Sequence, residues 1–427
     1  MSIKRLYLNN YKGFVDTFLP IEDVNFLVGE NSTGKTAVLD VLGVVFSAQF
    51  QYNADLNGEE YSLGYFNELV NQKLKGRNKT FEIGIERKES VGDSESTIVY
   101  ELYSYSNDEG LPRLKSYRSL YNAIHMKIKF SSTSSDIVNF NVANSQIQEF
   151  AEWVHDDEAS KIRLKTLRIP ISMPFWLIRN YVLHESKFNE MQGNSDKLNL
   201  MRVKGIDKFS RFAPIRAKAK RYYEGIVHKY SSEGQHTPEI MNRIYRDCKQ
   251  DIIDAINSFG RESSLYDEIQ VKTLGKGQTV PFKMSVKYGD IVANIVNVGY
   301  GVSQVLPLVV DILIGKDTVF SIQQPEVHLH PKAQAAFGQF IYESFFHSRN
   351  KFLIETHSDY TIDRFRLQLK KDNNGEIKPS SQVLFFERTL QGTKVTPIKI
   401  LSDGKYGAQP ETFRHFFLEE ELELLQI

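Results

Sequence analysis

Short apolar runs alternate with helically spaced apolar positions at both ends of the chain, and the middle lacks that rhythm. Residues 3–28 read as two strands around a turn at 10–13, ending in the apolar run Val24, Phe26, Val28. Val38, Leu39, Leu42, Val45 and Phe46 then fall on one helical face and predict a helix ending near Ser47. Alternation over 80–86 and 97–105, with a polar turn at 89–95, predicts an antiparallel hairpin that 126–130 extends. From 137 to 260 the segments 146–154, 175–184, 217–230 and 238–259 carry helix-like spacing without a long heptad array, so a compact helical insertion is expected.

After Gly260 strands and helices alternate again. A strand pair (269–274, 282–287) is followed by a helix (303–314), a strand (318–322), a helix opened by Pro331, a strand (352–355), a helix (359–369) and strands near 383–386 and 395–400. Short apolar strands between helices predict a mostly parallel, covered sheet, so the fold class is α/β. The expected layout is an N-terminal lobe (1–136) with an antiparallel subdomain, the helical insertion (137–260), a C-terminal lobe (261–400) and a tail helix (401–427).

Composition narrows the setting. With 41% apolar and 25% charged residues the 427-residue chain is ordinary for a globular protein. Its 53 basic and 53 acidic residues cancel, so any nucleic-acid contact must be local. Cys248 is the lone cysteine, which excludes an internal disulfide or a cysteine metal cluster and suits a reducing, cytoplasmic setting. The start lacks the apolar stretch of a signal peptide, and the most apolar run, 305–314, is too short for a bilayer; no membrane role is expected.

Gly29-Glu30-Asn31-Ser32-Thr33-Gly34-Lys35-Thr36 fits G-x-x-x-x-G-K-[ST] between a strand and a helix. Gly29 and Gly34 let the backbone N–H groups of Asn31, Ser32 and Thr33 turn toward phosphate oxygens, aided by the positive end of the helix. Lys35 would reach the β and γ phosphates and Thr36 would offer its hydroxyl to Mg²⁺; the other reading is a glycine turn before an ordinary helix. Gly299, Gly301, Ser303 and Gln304 precede an apolar helix at a point that favours anions, although taken alone a turn capped by Ser303 is sufficient and is the default reading.

The run 322–331 follows a buried strand, where ATPases hold a metal-orienting acid and a water-polarising acid. Gln323 and Gln324 stand there instead; an amide can bond a metal-bound water but is a poor base, so slow turnover is expected and Glu326 is the nearest carboxylate. His328 and His330 read as a loop at a subunit interface in preference to a zinc pair. His357 lies past the next strand, either reaching a γ-phosphate or opening a helix capped by Ser358.

In this order the segments resemble the ABC-type ATPase heads of the SMC, RecF and OLD group, and among them the AAA-ATPase proteins of bacterial defence islands. Asn10-Tyr11-Lys12-Gly13-Phe14, Phe212-Ala213-Pro214-Ile215-Arg216, Glu233-Gly234-Gln235-His236-Thr237-Pro238 and Phe413-Arg414-His415-Phe416-Phe417 support the likeness. The resemblance implies a P-loop NTPase with ATP and Mg²⁺ as cofactors, Thr36 and Gln323 at the metal, and Gln324, Glu326 and His357 as catalytic candidates. It also implies that Lys12 contacts phosphates. Gly299, Gly301, Ser303 and Gln304 would grip ATP held by a second subunit, making a homodimer or higher even oligomer. OLD proteins continue into a TOPRIM nuclease domain, for which the 27 residues after Ile400 leave no room, so a separate effector, nuclease or toxin, is expected. The tail acids Glu411, Glu419, Glu420, Glu421 and Glu423 read as a solvated helix face.

A basic stretch from Arg202 to Lys229, interleaved with Phe209, Phe212, Tyr222 and Tyr223, offers either a nucleic-acid grip or a solvated face, and Arg216 an alternative role at the ATP site. The functions expected are an ATP-gated sensor or regulator of an effector in anti-phage defence or, alternatively, a DNA-repair or DNA-clamping ATPase. A scaffold in which ATP is mainly structural is the third.

Overall fold

The structure is a computed structural model of the chain and describes all residues except 1, 59–60, 77, 92–94, 122–123, 131–136, 145–148, 157–164, 169–172, 186–207, 226–228, 276–279, 373–376 and 414–427. The chain opens with β1 (Ser2–Asn9), β2 (Thr17–Pro20) and β3 (Val24–Gly29), then α1 (Lys35–Phe46), α2 (Ala48–Asn53) and α3 (Phe66–Leu69). Next come β4 (Thr80–Val91), β5 (Glu95–Asp108), β6 (Leu111–Tyr121), β7 (Ile124–Phe130) and β8 (Ile137–Asn144), followed by α4 (Phe150–His155), β9 (Lys165–Arg168) and α5 (Phe175–Glu185). The second half runs β10 (Lys208–Phe212), α6 (Thr237–Arg246), α7 (Gln250–Ser263), β11 (Glu268–Thr273), β12 (Phe282–Tyr288), β13 (Ile291–Asn294) and α8 (Tyr300–Ile314). It closes with β14 (Thr318–Gln323), α9 (Pro331–Ser348), β15 (Lys351–Glu355), α10 (Asp359–Lys371), β16 (Ser381–Arg388) and β17 (Thr393–Ile400). Among the described residues no helix is long and apolar enough to cross a membrane.

Two compact units result. The first takes residues 1–21, 30–207 and 386–395 and is built on an eight-stranded sheet in the order β2-β1-β4-β5-β6-β7-β8-β9, antiparallel throughout. In its interior Glu101 accepts from Arg87, Arg179, Tyr103 and Tyr117. Burial raises the carboxyl's proton affinity, but the two guanidiniums and the hydroxyls outweigh it and hold Glu101 below the usual carboxylate range.

The second unit takes residues 22–29, 208–385 and 396–427. Its six-stranded sheet runs β10-β14-β15-β3-β16-β17, with β10, β14, β15 and β3 paired in parallel. Those strands read as continuous apolar runs because both faces are covered, and Phe212, Phe320 and Phe352 stack across three of them. In α8, Pro307 removes one helical bond and costs about 3 kcal/mol. Burying Val305, Leu306, Leu308, Val309, Val310 and Ile312 outweighs this at about 1.5–3 kcal/mol each.

The middle of the chain departs from the expected helical insertion. Strands β8 and β9 extend the antiparallel sheet, β10 forms the edge of the parallel one, and 217–225 has no regular helix. That last stretch is pinned by single bonds instead: Ala217 N to Glu233 O and a reciprocal pair between Tyr223 and Phe282. The expected helix over 238–259 is two helices, broken where Cys248 takes φ 50°. The first 28 residues hold three strands where two were read. Of the tail, 401–413 is turns and irregular chain; the rest of the expected helix lies outside the described residues, as do Arg202 and Lys204 of the basic stretch.

Candidate functional site

Gly29 ends β3, an interior strand of its sheet, and Lys35 starts α1, so the loop between them must reverse within a few residues. It does so through left-handed backbone at Gly29 (φ 145°), Ser32 (φ 61°) and Gly34 (φ 96°). At Gly34 an added Cβ would lie 2.7 Å from the Phe14 ring, so only glycine fits. The N-terminus of α1 has no side-chain cap and no acidic residue in its first turn, which leaves its dipole available to an anion. Thr33 is buried and its hydroxyl donates to Glu30 O at 2.7 Å; Lys35, 3% exposed, donates to the same carbonyl at 2.7 Å. The lysine is thus held folded over its own loop, a geometry that a phosphate would replace with a charge-assisted bond.

Lys12 occupies the tip of a tight turn (φ 48°) closed by bonds between Tyr11 and Phe14, and its ammonium lies 5.7 Å from the Tyr11 ring centre. Thr393 joins this turn to the phosphate loop: its N donates to Gly13 O at 2.7 Å and its hydroxyl to Thr33 O at 3.1 Å. Arg388 reaches Ser32 O at 3.5 Å. Neither Thr393 nor Arg388 carries a sequence signal, since only the hairpin of β16 and β17 brings them to the loop.

In the second unit Gly299 caps α8 without a side-chain bond, and nothing lies within 4 Å of where its Cβ would be. At Gly301 an added Cβ would sit 2.8 Å from the His328 carbonyl, so glycine lets the start of α8 approach the loop after β14. Tyr300 meets His328 edge-on at 4.8 Å between ring centres, and His330 caps α9 by accepting from Lys332 N. Ser303 donates to Tyr300 O at 2.8 Å. Gln304 is fully buried, its amide oxygen accepting from Arg216 N at 3.0 Å and its amide nitrogen donating to Arg216 O at 3.2 Å.

Arg216 is the charge that sequence reasoning placed least well. Its guanidinium is buried, donates through Nη2 to Gln323 O at 2.9 Å, and has Nε and Nη1 without hydrogen-bond partners among the described residues. Burial pushes its pKa down to about 10, opposed by the nearby Glu326 carboxylate. The side-chain Nε2 of Gln323 is also buried without a partner among the described residues. Gln324 holds a left-handed backbone (φ 43°) and donates to Glu355 O at 2.8 Å. Glu326 accepts from Thr356 Oγ1 at 2.8 Å and from His357 N at 2.7 Å, so both its oxygens are engaged in holding the loop that carries His357. The caps at Ser358 and the bond from Ser358 to Gln334 fix that loop from the other side.

The loop fits a nucleotide phosphate group, as its fold, its uncapped helix and its buried lysine show; a bound Mg²⁺ would supply Lewis-acid charge, and the exposed Thr36 hydroxyl is one of the loop's oxygens that would hold it. The class is a P-loop α/β nucleotide-binding protein. The sequence matches the AAA ATPase domain family over residues 1–362, and the chain belongs to that family. No curated protein sequence matches it. Among solved structures it is similar to the SMC head domain from Thermotoga maritima (12% identity, 93% of this chain and 99% of that one, TM-score 0.38). It is also similar to the SmcHead bound to the C-winged helix domain of ScpA (11%, 94% and 99%, TM-score 0.43). Family membership and topology stand without these distant likenesses.

Proposed function

We propose that the chain is an ATP-gated switch: ATP and Mg²⁺ bind the phosphate loop, and the signature turn of a second copy, the glycine turn from Gly299 to Ser303, closes on the γ-phosphate. The buried, self-bonded Lys35 carries this reading, because it is a lysine poised to exchange a carbonyl for a phosphate. The open start of α8 at Gly299 and the closely packed Gly301 support the role of the signature turn. Lys12, beside the loop through Thr393, adds a positive charge. With amides at Gln323 and Gln324 and Glu326 engaged as a clamp, turnover is slow and the bound state long-lived, which suits a regulator of a separate effector, nuclease or toxin, in anti-phage defence. His357 then senses the γ-phosphate, and Gln323 bonds a metal-bound water.

A direct nucleic-acid role is weaker. Arg216 is buried and leaves Lys208, Lys218, Lys220, Arg221 and Lys229 as the exposed basic positions of the described part of the stretch. Sedimentation of the protein with and without ATP and Mg²⁺ tests the switch: wild type is expected to shift from monomer to dimer and Lys35→Ala to stay monomeric. A wild-type monomer at saturating ATP overturns it.

A further inference from the structure

A cavity of about 530 Å³ opens in the second unit between the irregular 217–224 stretch, the start of α6 and the start of α8, within the size range of small-molecule sites. Its apolar wall is formed by Leu306, Pro307 and Phe282, on which Tyr223 stacks at 5.5 Å. Two buried polar side chains line it with atoms that have no hydrogen-bond partner among the described residues: the Thr237 hydroxyl, 2% exposed, and Oε2 of Glu239, 6% exposed. Glu239 stands at the third position of α6, where a carboxylate commonly reaches back to cap the helix, yet no capping box forms. A buried carboxylate oxygen without a donor is costly, so the site calls for a ligand that brings donors. Lys218 and Lys220, both exposed, line the mouth, and Tyr222 presents an exposed ring there.

We propose that this cavity binds a guanine nucleotide. The guanine N1–H and 2-amino group form a planar donor pair that matches the Glu239 carboxylate, the tyrosines offer a stacking face, and the lysines meet the phosphate. Adenine turns a lone pair to the same carboxylate and is rejected. Ser303 also lines the cavity. If Ser303 grips ATP as proposed above, occupancy would bear on the signature turn and tune the switch; that consequence rests on the proposed function, while the binding itself does not.

Calorimetric titration of GMP and AMP into full-length Lys35→Ala protein, whose phosphate loop is disabled, tests the binding alone. Saturable GMP binding at least tenfold tighter than AMP is expected, weakened about tenfold or more by adding Glu239→Gln. A cooperative thermal melt checks folding; should Glu239→Gln fail it, Thr237→Val carries the test with an expected loss of about threefold or more. Absent GMP binding, equal AMP binding, or affinity unchanged in the folded variant overturns the proposal, whatever ATP does to assembly.

Discussion

Replacing Glu326 with glutamine separates two roles that the sequence leaves open, general base and clamp. In the structure one carboxylate oxygen accepts from Thr356 Oγ1 and the other from His357 N. Hydrogen bonds to a charged acceptor contribute about 1.5–3 kcal/mol each. Glutamine keeps one acceptor and turns an NH₂ group toward the second donor, so the loss is about 2–3 kcal/mol. In a cooperative unit of this size that lowers the melting temperature by on the order of 5 °C. The assay pairs differential scanning calorimetry with ATPase rates. The clamp predicts that stability and rate fall together and that hydrogen exchange at His357 N accelerates. Abolished hydrolysis with an unchanged melting temperature and unchanged exchange would refute it and make Glu326 the base.

Other consequences follow from neighbouring residues. Gln324→Glu supplies a carboxylate where an amide stands and is expected to raise ATP turnover severalfold or more, read by phosphate release; an unchanged rate would remove that position from the reaction. Arg216→Met removes a guanidinium that burial penalises in its charged form, lowering its pKa to about 10, and this cost offsets the about 1.5–3 kcal/mol of its bond to Gln323 O. Its melting temperature should therefore equal or slightly exceed wild type, and a drop beyond 5 °C would contradict that balance. Thr393→Val deletes the bond to Thr33 O but keeps the backbone bond to Gly13, and a fluorescent ATP analogue should bind about fivefold more weakly. Undiminished affinity would show that the loop holds its shape without the hairpin.

What the sequence reveals depends on whether a residue acts through its own chain neighbours. The phosphate loop was legible because glycines, lysine and threonine do their work within eight consecutive residues, and β14, β15 and α8 to α10 because their apolar runs are bounded by turns and caps. β6 was missed: Pro112 and alternating charged positions hide a strand whose outer half is solvated. β8 reads as a polar segment because Asn139 and Asn141 occupy alternate positions in its pairing with β7. At 217–225 the spacing mimics a helix, yet bonds to Glu233 and Phe282, far along the chain, win over local propensity. Arg216, Gln304 and Thr393 belong to the same class: each is placed by tertiary contacts that no local pattern records.

The composite ATP site is tested most directly by mixing two crippled chains, Lys35→Ala and Ser303→Arg, and following their mass by light scattering with ATP and Mg²⁺. Neither chain alone should dimerise, while the mixture should form heterodimers through the one site in which an intact phosphate loop faces an intact signature turn. A mixture that remains monomeric although wild type dimerises, or a Ser303→Arg protein that dimerises unaided, would contradict the account.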